Sequence, residues 1–207
     1  TSEAYPFLLD GERDAILFLD QDRAPVYELI KKVYPKGTYT EHKPPKGDTA
    51  LFEIFLTQKD IQSVQGLNVN YFKNPEMTGN PVSSTTLKQL NLTWNPDNVG
   101  GIPFYSDISG VLFADRFGTY NFTIISPSSF DLYFDGKQAF HGEGGTFNGS
   151  IELAKGAHAI EIKAKGEYGD FRVTWQPPDG KIGEIPTANL LLPPVTNNGL
   201  LGSYYPN

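Results

Sequence analysis

From Gly66 onward the period of the apolar positions is two. In GTYNFTII, Tyr120, Phe122 and Ile124 fall on one face, with Thr119, Asn121 and Thr123 on the other. In FDLYFDG, Phe130, Leu132 and Phe134 alternate with Asp131, Tyr133 and Asp135. HAIEIKAK sets Ile160 and Ile162 against Glu161 and Lys163, and DFRVTWQ sets Phe171, Val173 and Trp175 against Arg172 and Thr174. Successive side chains of a strand point to opposite faces, so each segment reads as a strand with one buried side. The glycine- and proline-rich stretches SPSS, DGK, HGEGG, AKGA and QPPDG separate these segments. Short alternating strands punctuated in this way predict an antiparallel sandwich or barrel rather than a parallel sheet.

Residues 1–64 have another pattern. AILFLD, residues 15–20, is a short apolar run that predicts a buried strand. Pro25 suits the first turn of a helix because its fixed φ is already helical. Val26, Leu29, Ile30 and Val33 then recur at i, i+3, i+4 and i+7, one apolar stripe on a helix that should stop before Pro35-Lys36-Gly37. After a polar loop, ALFEIFL, residues 50–56, predicts a second strand with Ile54 and Leu56 alternating. A unit of about sixty residues supports only a small core, so this α/β segment is expected to pack on the strands C-terminal to it.

One motif occurs twice. Gly66, Leu67, Tyr71 and Phe72 in QGLNVNYFKNP stand as Gly199, Leu200, Tyr204 and Tyr205 do in NNGLLGSYYPN. The double proline at 193 and 194 reads as a linker before the second copy. The expected organisation is a small α/β segment over 1–64, a β-sandwich over 65–193, and a linker with the first strand of a truncated second copy over 194–207. Two opening strands imply a tandem array.

Composition narrows the function. With 39% hydrophobic and 13% aromatic residues among 207, the chain has the apolar material for a packed core. A formal net charge of -7 argues against a nucleic-acid partner and against anionic membrane surfaces, because both need a basic face. The absence of cysteine excludes a disulfide framework and thiolate chemistry. No stretch approaches the roughly 20 apolar residues that span a bilayer, so any membrane contact is expected through parts of a longer parent chain.

The order GLNVNYF, GVLFADRFGTYNFTIIS, LYFDGKQAF, IELAKGAHAIEIKAKGEYGDFRVTWQPPDG and EIPTANLLLP, spanning about residues 66–193, resembles the PA-fourteen domain, the lectin-like sandwich of anthrax protective antigen and its relatives. The marks are Gly118-x-Tyr120-x-Phe122, Leu132-Tyr133-x-Asp135-Gly136, Gly156-x-His158 and Trp175. The resemblance implies an antiparallel β-sandwich and, in many relatives, carbohydrate recognition. Sugar-binding members carry a Ser-Asp-Asp-Gly loop whose aspartates hold calcium; the matching positions here are Ser126-Pro127-Ser128-Ser129. Calcium takes six to eight oxygen ligands including carboxylates, so this replacement removes most of that site's affinity. No cofactor and no metal is therefore expected. The arrangement of the α/β segment, the sandwich and the second opening strand resembles the extracytoplasmic C-terminal region of bacterial membrane glycosyltransferases similar to the dolichyl-phosphate-mannose protein mannosyltransferases. Catalysis would then belong to segments outside this chain, and this part would be extracytoplasmic.

Several residues suit either chemistry or an ordinary structural role. Asp20-Gln21-Asp22 has the first spacing of a calcium loop, but Ala24 and the missing glycine break the pattern, leaving carboxylates at a helix start. HGEGGTFNG, residues 141–149, lacks a phosphate-loop ending and reads as a flexible loop; near the family's ligand end it makes His141 and Glu143 candidates for sugar contact. Asp135-Gly136 is a hairpin signal. Trp175 lies on the inward face, whereas Trp94 in NLTWNP suits either core or ligand. Tyr168 and Asp170 in GEYGD offer an aromatic face and a carboxylate at a turn. The three histidines have no zinc spacing, and His158, matching the family's histidine, is expected to make a structural hydrogen bond. No Gly-x-Ser-x-Gly elbow occurs, and nothing singles out a catalytic pair among 24 acidic residues. The expected function is a non-catalytic extracytoplasmic module that binds or positions a glycan or glycosylated acceptor; the alternative is a spacer or protein-interaction domain.

Overall fold

The computed structural model describes residues 9–43 and 51–192. The expected linker and second opening strand at 194–207 lie outside the described residues.

The first unit contains β1 (Ala15–Leu19), a 3-10 turn (Gln21–Arg23), α1 (Ala24–Val33), β2 (Thr38–His42), β3 (Leu51–Leu56) and α2 (Gln58–Ser63). Its strands form one antiparallel sheet in the order β1-β3-β2. Pro25 sits in the first turn of α1 as expected, and the helix ends at Val33, just before Pro35. The stripe turns Ile30 into the core, where Tyr27 joins it and stacks on Phe52 at 4.4 Å between ring centroids. Phe52, Ile54 and Leu56 of β3 meet that helix. The expectation of a buried β1 needs correction, because Ile16 and Phe18 are 55% and 61% exposed. A three-stranded sheet with a helix on one face leaves the other face open, and β1 is also its edge strand. Thr57 closes a capping box at the start of α2: its Oγ1 accepts from Asp60 N at 3.2 Å while Asp60 Oδ2 accepts from Thr57 N at 2.9 Å.

The second unit contains β4 (Leu67–Phe72), β5 (Ser83–Leu87), β6 (Asn91–Trp94), β7 (Phe104–Ala114), β8 (Gly118–Ser126) and β9 (Phe130–Phe134). It continues with β10 (Lys137–Gly142), β11 (Gly145–Leu153), β12 (Gly156–Gly166), β13 (Gly169–Gln176), β14 (Gly183–Glu184) and β15 (Leu190–Leu191). One sheet runs β10-β9-β12-β7-β4-β5 with β15 also on β7; the other runs β11-β8-β13-β14 with β6 also on β13. Every pairing is antiparallel. The alternation read from the sequence decides which side chains lie between the sheets. Ile108, Leu132 and Ile162 from the first sheet meet Tyr120, Phe122, Phe171 and Val173 from the second, all nearly or fully buried. Burying each such side chain contributes about 1.5–3 kcal/mol. Trp175 points inward as expected, 5.3 Å from the Tyr120 ring.

HGEGGTFNG is not a flexible loop. Its glycines mostly belong to β10 and β11, joined by a turn at 143–144. They are small because rings cross them: a Cβ at Gly142 would lie 2.4 Å from the Phe130 ring, and one at Gly149 would lie 2.6 Å from Phe140.

The two units touch as expected. Val33 of α1 packs against a small cluster of Val111, Phe113, Ala157 and Leu191 on the outer side of the first sheet. Leu192 N donates to Val64 O at 2.8 Å and Gly66 N to Leu190 O at 2.7 Å, tying the end of the sandwich to its beginning.

Candidate functional site

The loop at 126–129, the β10–β11 turn, the β12–β13 turn and the 3-10 turn Pro96–Val99 after β6 gather at one end of the sandwich. Pro127 lies between two of them. A Cβ added at Gly144 would come within 3.3 Å of Pro127 O, and one at Gly169 within 3.1 Å of Pro127 Cβ, so both turns approach the proline closely. Both glycines have positive φ, 106° and 139°, which a residue with a side chain avoids.

The serine loop is closed on itself. Ser126 Oγ donates to Ser128 O at 2.7 Å, Ser128 Oγ donates to Lys165 O, and Lys165 N donates to Ser129 O at 3.0 Å. Where the family's aspartates would offer carboxylates stand Pro127, which has no side-chain oxygen, and Ser128, whose hydroxyl is engaged with backbone. Among the described residues no group of His, Cys, Asp or Glu is arranged to hold a metal ion.

Tyr168 stands at the tip of the β12–β13 turn, 60% exposed, and its hydroxyl donates to Asp97 Oδ1 at 3.4 Å. Asp170 begins β13 opposite Thr93 of β6, whose hydroxyl donates to Asp170 Oδ1 at 2.6 Å. Tyr168, Asp170, Asp97 and Thr93 therefore form one exposed group of a ring face, a hydroxyl and two carboxylates. Asp97 and Thr93 escaped the sequence reading, since they lie 71 and 77 residues from their partners and only the β6–β13 register joins them. Lys73 braces the neighbouring 100–103 segment, donating to Gly100 O at 2.9 Å and to the carbonyls of Gly101 and Pro103.

Trp94 is a core residue. It is 3% exposed, stacked on Phe171 at 5.0 Å and edge-on to Phe104 at 5.8 Å, so its ring faces are already covered. Its Nε1 is buried with no hydrogen-bond partner among the described residues.

His141 and Glu143 lie across Pro127 from Tyr168. The His141 ring sits between two carboxylates, Nδ1 at 2.8 Å from Asp131 Oδ1 and Nε2 at 2.9 Å from Glu143 Oε1. Asp131 first, then Glu143, raise its pKa above 6.5. Asp131 does not stand out in the sequence because its partner is set by the β9–β10 pairing, where His141 faces Asp131.

His158 has the structural role expected of it. Its Nε2 donates to Ala154 O at 2.8 Å and its Nδ1 lies 2.7 Å from Asp135 Oδ2. Asp135 Oδ1 accepts from Ala159 N at 2.9 Å, so the hairpin turn at Asp135 and Gly136, both with positive φ, is bolted to β12. Asp20, by contrast, makes no side-chain cap bond at the helix start it precedes.

Two face-to-face antiparallel sheets with loops gathered at one end form a β-sandwich, and its likeness to solved PA14 domains makes it one of PA14 type. Solved structures share it. An anti-sigma factor domain-containing protein matches 73% of this chain and 67% of its own at 14% identity and a TM-score of 0.55. A PA14 sugar-binding domain from an RTX adhesin matches 62% of this chain and 99% of its own at 14% identity and a TM-score of 0.53. The PA14 domain of the antifreeze protein MpAFP matches 61% and 90% at 13% identity and a TM-score of 0.50. At these identities the likeness is one of fold. No protein-family model matches the chain, and no curated protein matches it.

Proposed function

We propose that this chain is a non-catalytic carbohydrate-binding module that meets its glycan at the loop rim without calcium. The observation that carries the reading is the exposed Tyr168 ring beside Asp97 and Asp170 on a PA14-type frame. An aromatic face covers the apolar side of a sugar ring while carboxylates accept from its hydroxyls. Glu143 and His141 extend the same rim on the other side of Pro127. The wider setting, an extracytoplasmic arm that positions a glycosylated acceptor for a membrane glycosyltransferase, rests on the sequence resemblance.

Glycan-array screening with calcium and with a chelator tests the binding. The expected result is the same set of bound glycans in both conditions, and at least a tenfold loss with Tyr168→Ala. Binding that appears only with calcium, or to no glycan, overturns the reading. The closed serine loop favours a second reading, a spacer or protein-interaction domain, which an empty array would support.

A further inference from the structure

A cleft of about 590 Å³ opens where the first unit meets the sandwich, away from the rim. Its walls are residues 10–12, the first turns of α2, the β5–β6 turn at Lys88, and the 3-10 turn Thr187–Asn189. The volume lies within the roughly 300–1,000 Å³ of small-molecule sites, which concentrate at junctions between units.

The walls are held in advance by side-chain to backbone bonds. Gln62 Nε2 donates to Gly11 O at 2.8 Å, and Gln65 Nε2 donates to Leu9 O at 3.0 Å. Lys88 Nζ donates to the carbonyls of Gln62 and Gln65, each at 2.8 Å. Gly11 has a φ of 74°, which a residue with a side chain avoids, and it lies directly against the end of the Gln65 side chain. Other polar groups remain available: among the described residues the Gln58 amide, the Glu12 carboxylate and the Thr187 hydroxyl line the cleft with no side-chain partner.

Charge selects the kind of ligand. Asp10 and Glu12 repel an anion, and the Lys88 ammonium repels a cation. Burial already desolvates that ammonium and lowers its pKa, so a second positive charge beside it would be costly. A neutral ligand with both donors and acceptors meets neither penalty. Amide, carboxylate and hydroxyl together complement vicinal hydroxyl groups, each of which donates and accepts.

We propose that the junction cleft binds a neutral saccharide through Gln58, Glu12 and Thr187. This rests on the carbohydrate-binding reading for its ligand class but assigns the contact to a surface outside the rim. The test is titration of the isotope-labelled wild-type chain with glucose, galactose, mannose, N-acetylglucosamine, lactose and cellobiose, monitored by amide resonance. At least one saccharide is expected to shift Gly11, Gln62, Gln65 and Lys88 saturably. The exposed pair Glu12→Ala with Gln58→Ala is expected to weaken that saccharide about tenfold with an unchanged melting temperature. Shifts confined to the turns around Pro127 and Tyr168, with affinity unaltered in the double variant, overturn the cleft and leave the rim reading standing. Absence of any saturable shift anywhere overturns both.

Discussion

His141 holds the turn that carries Glu143 by contacts whose strength depends on its charge. Its pKa is raised by Asp131 and Glu143, so the stability it contributes is fully present below its unfolded value of 6.5 and disappears as pH rises through the higher folded value. The melting temperature of wild type should therefore exceed that of His141→Gln most in mildly acidic buffer, and the gap should close on the alkaline side. A gap that is constant with pH would contradict the assignment. Trp94 belongs to a different class of residue, a ring enclosed by Phe171 and Phe104. Trp94→Ala should cost about 3–5 kcal/mol in urea unfolding, the usual range for a large aromatic removed from a core. Neither role was legible in the residues alone. NLTWNP is short and polar around its tryptophan, and the neighbours that bury the ring come from β7 and β13.

Helix α1 and strands β8, β9, β12 and β13 arise from local periodicity, which is why they were readable before any contact was known. The strands that escaped either lose alternation or are masked by glycine. In β7 the second half is buried on both sides, since Leu112 faces the sandwich core while Val111 and Phe113 face Val33 and Leu191. In β10 and β11 glycine imitates a loop, although its function is to let Phe130 and Phe140 cross the strands. Gly149→Val should therefore cost about 1–3 kcal/mol, as overpacking does, measured by the urea midpoint. At α2 the capping box predicts a smaller effect: Thr57→Ala should cost about 1 kcal/mol by the same measurement.

On the scale of the whole molecule, the first unit covers apolar surface that the sandwich would otherwise expose. Val33 is its contact with Val111, Phe113 and Leu191. Val33→Asp should cost about 1–3 kcal/mol, because a charge replaces a methyl pair in an apolar contact. Hydrogen exchange should show early loss of protection at Leu190 and Leu191; protection equal to wild type would mean the units do not stabilise each other. The amino-acid order alone determined the alternating antiparallel strands of a sandwich or barrel, the amphipathic helix and the Asp135-Gly136 hairpin, because each depends on side chains a few positions apart. Only the tertiary structure joined Tyr168 to Asp97, His141 to Asp131 and Lys88 to Gln62 and Gln65. Those meetings depend on strand register and on how two units dock, and neither leaves a periodic trace in the chain.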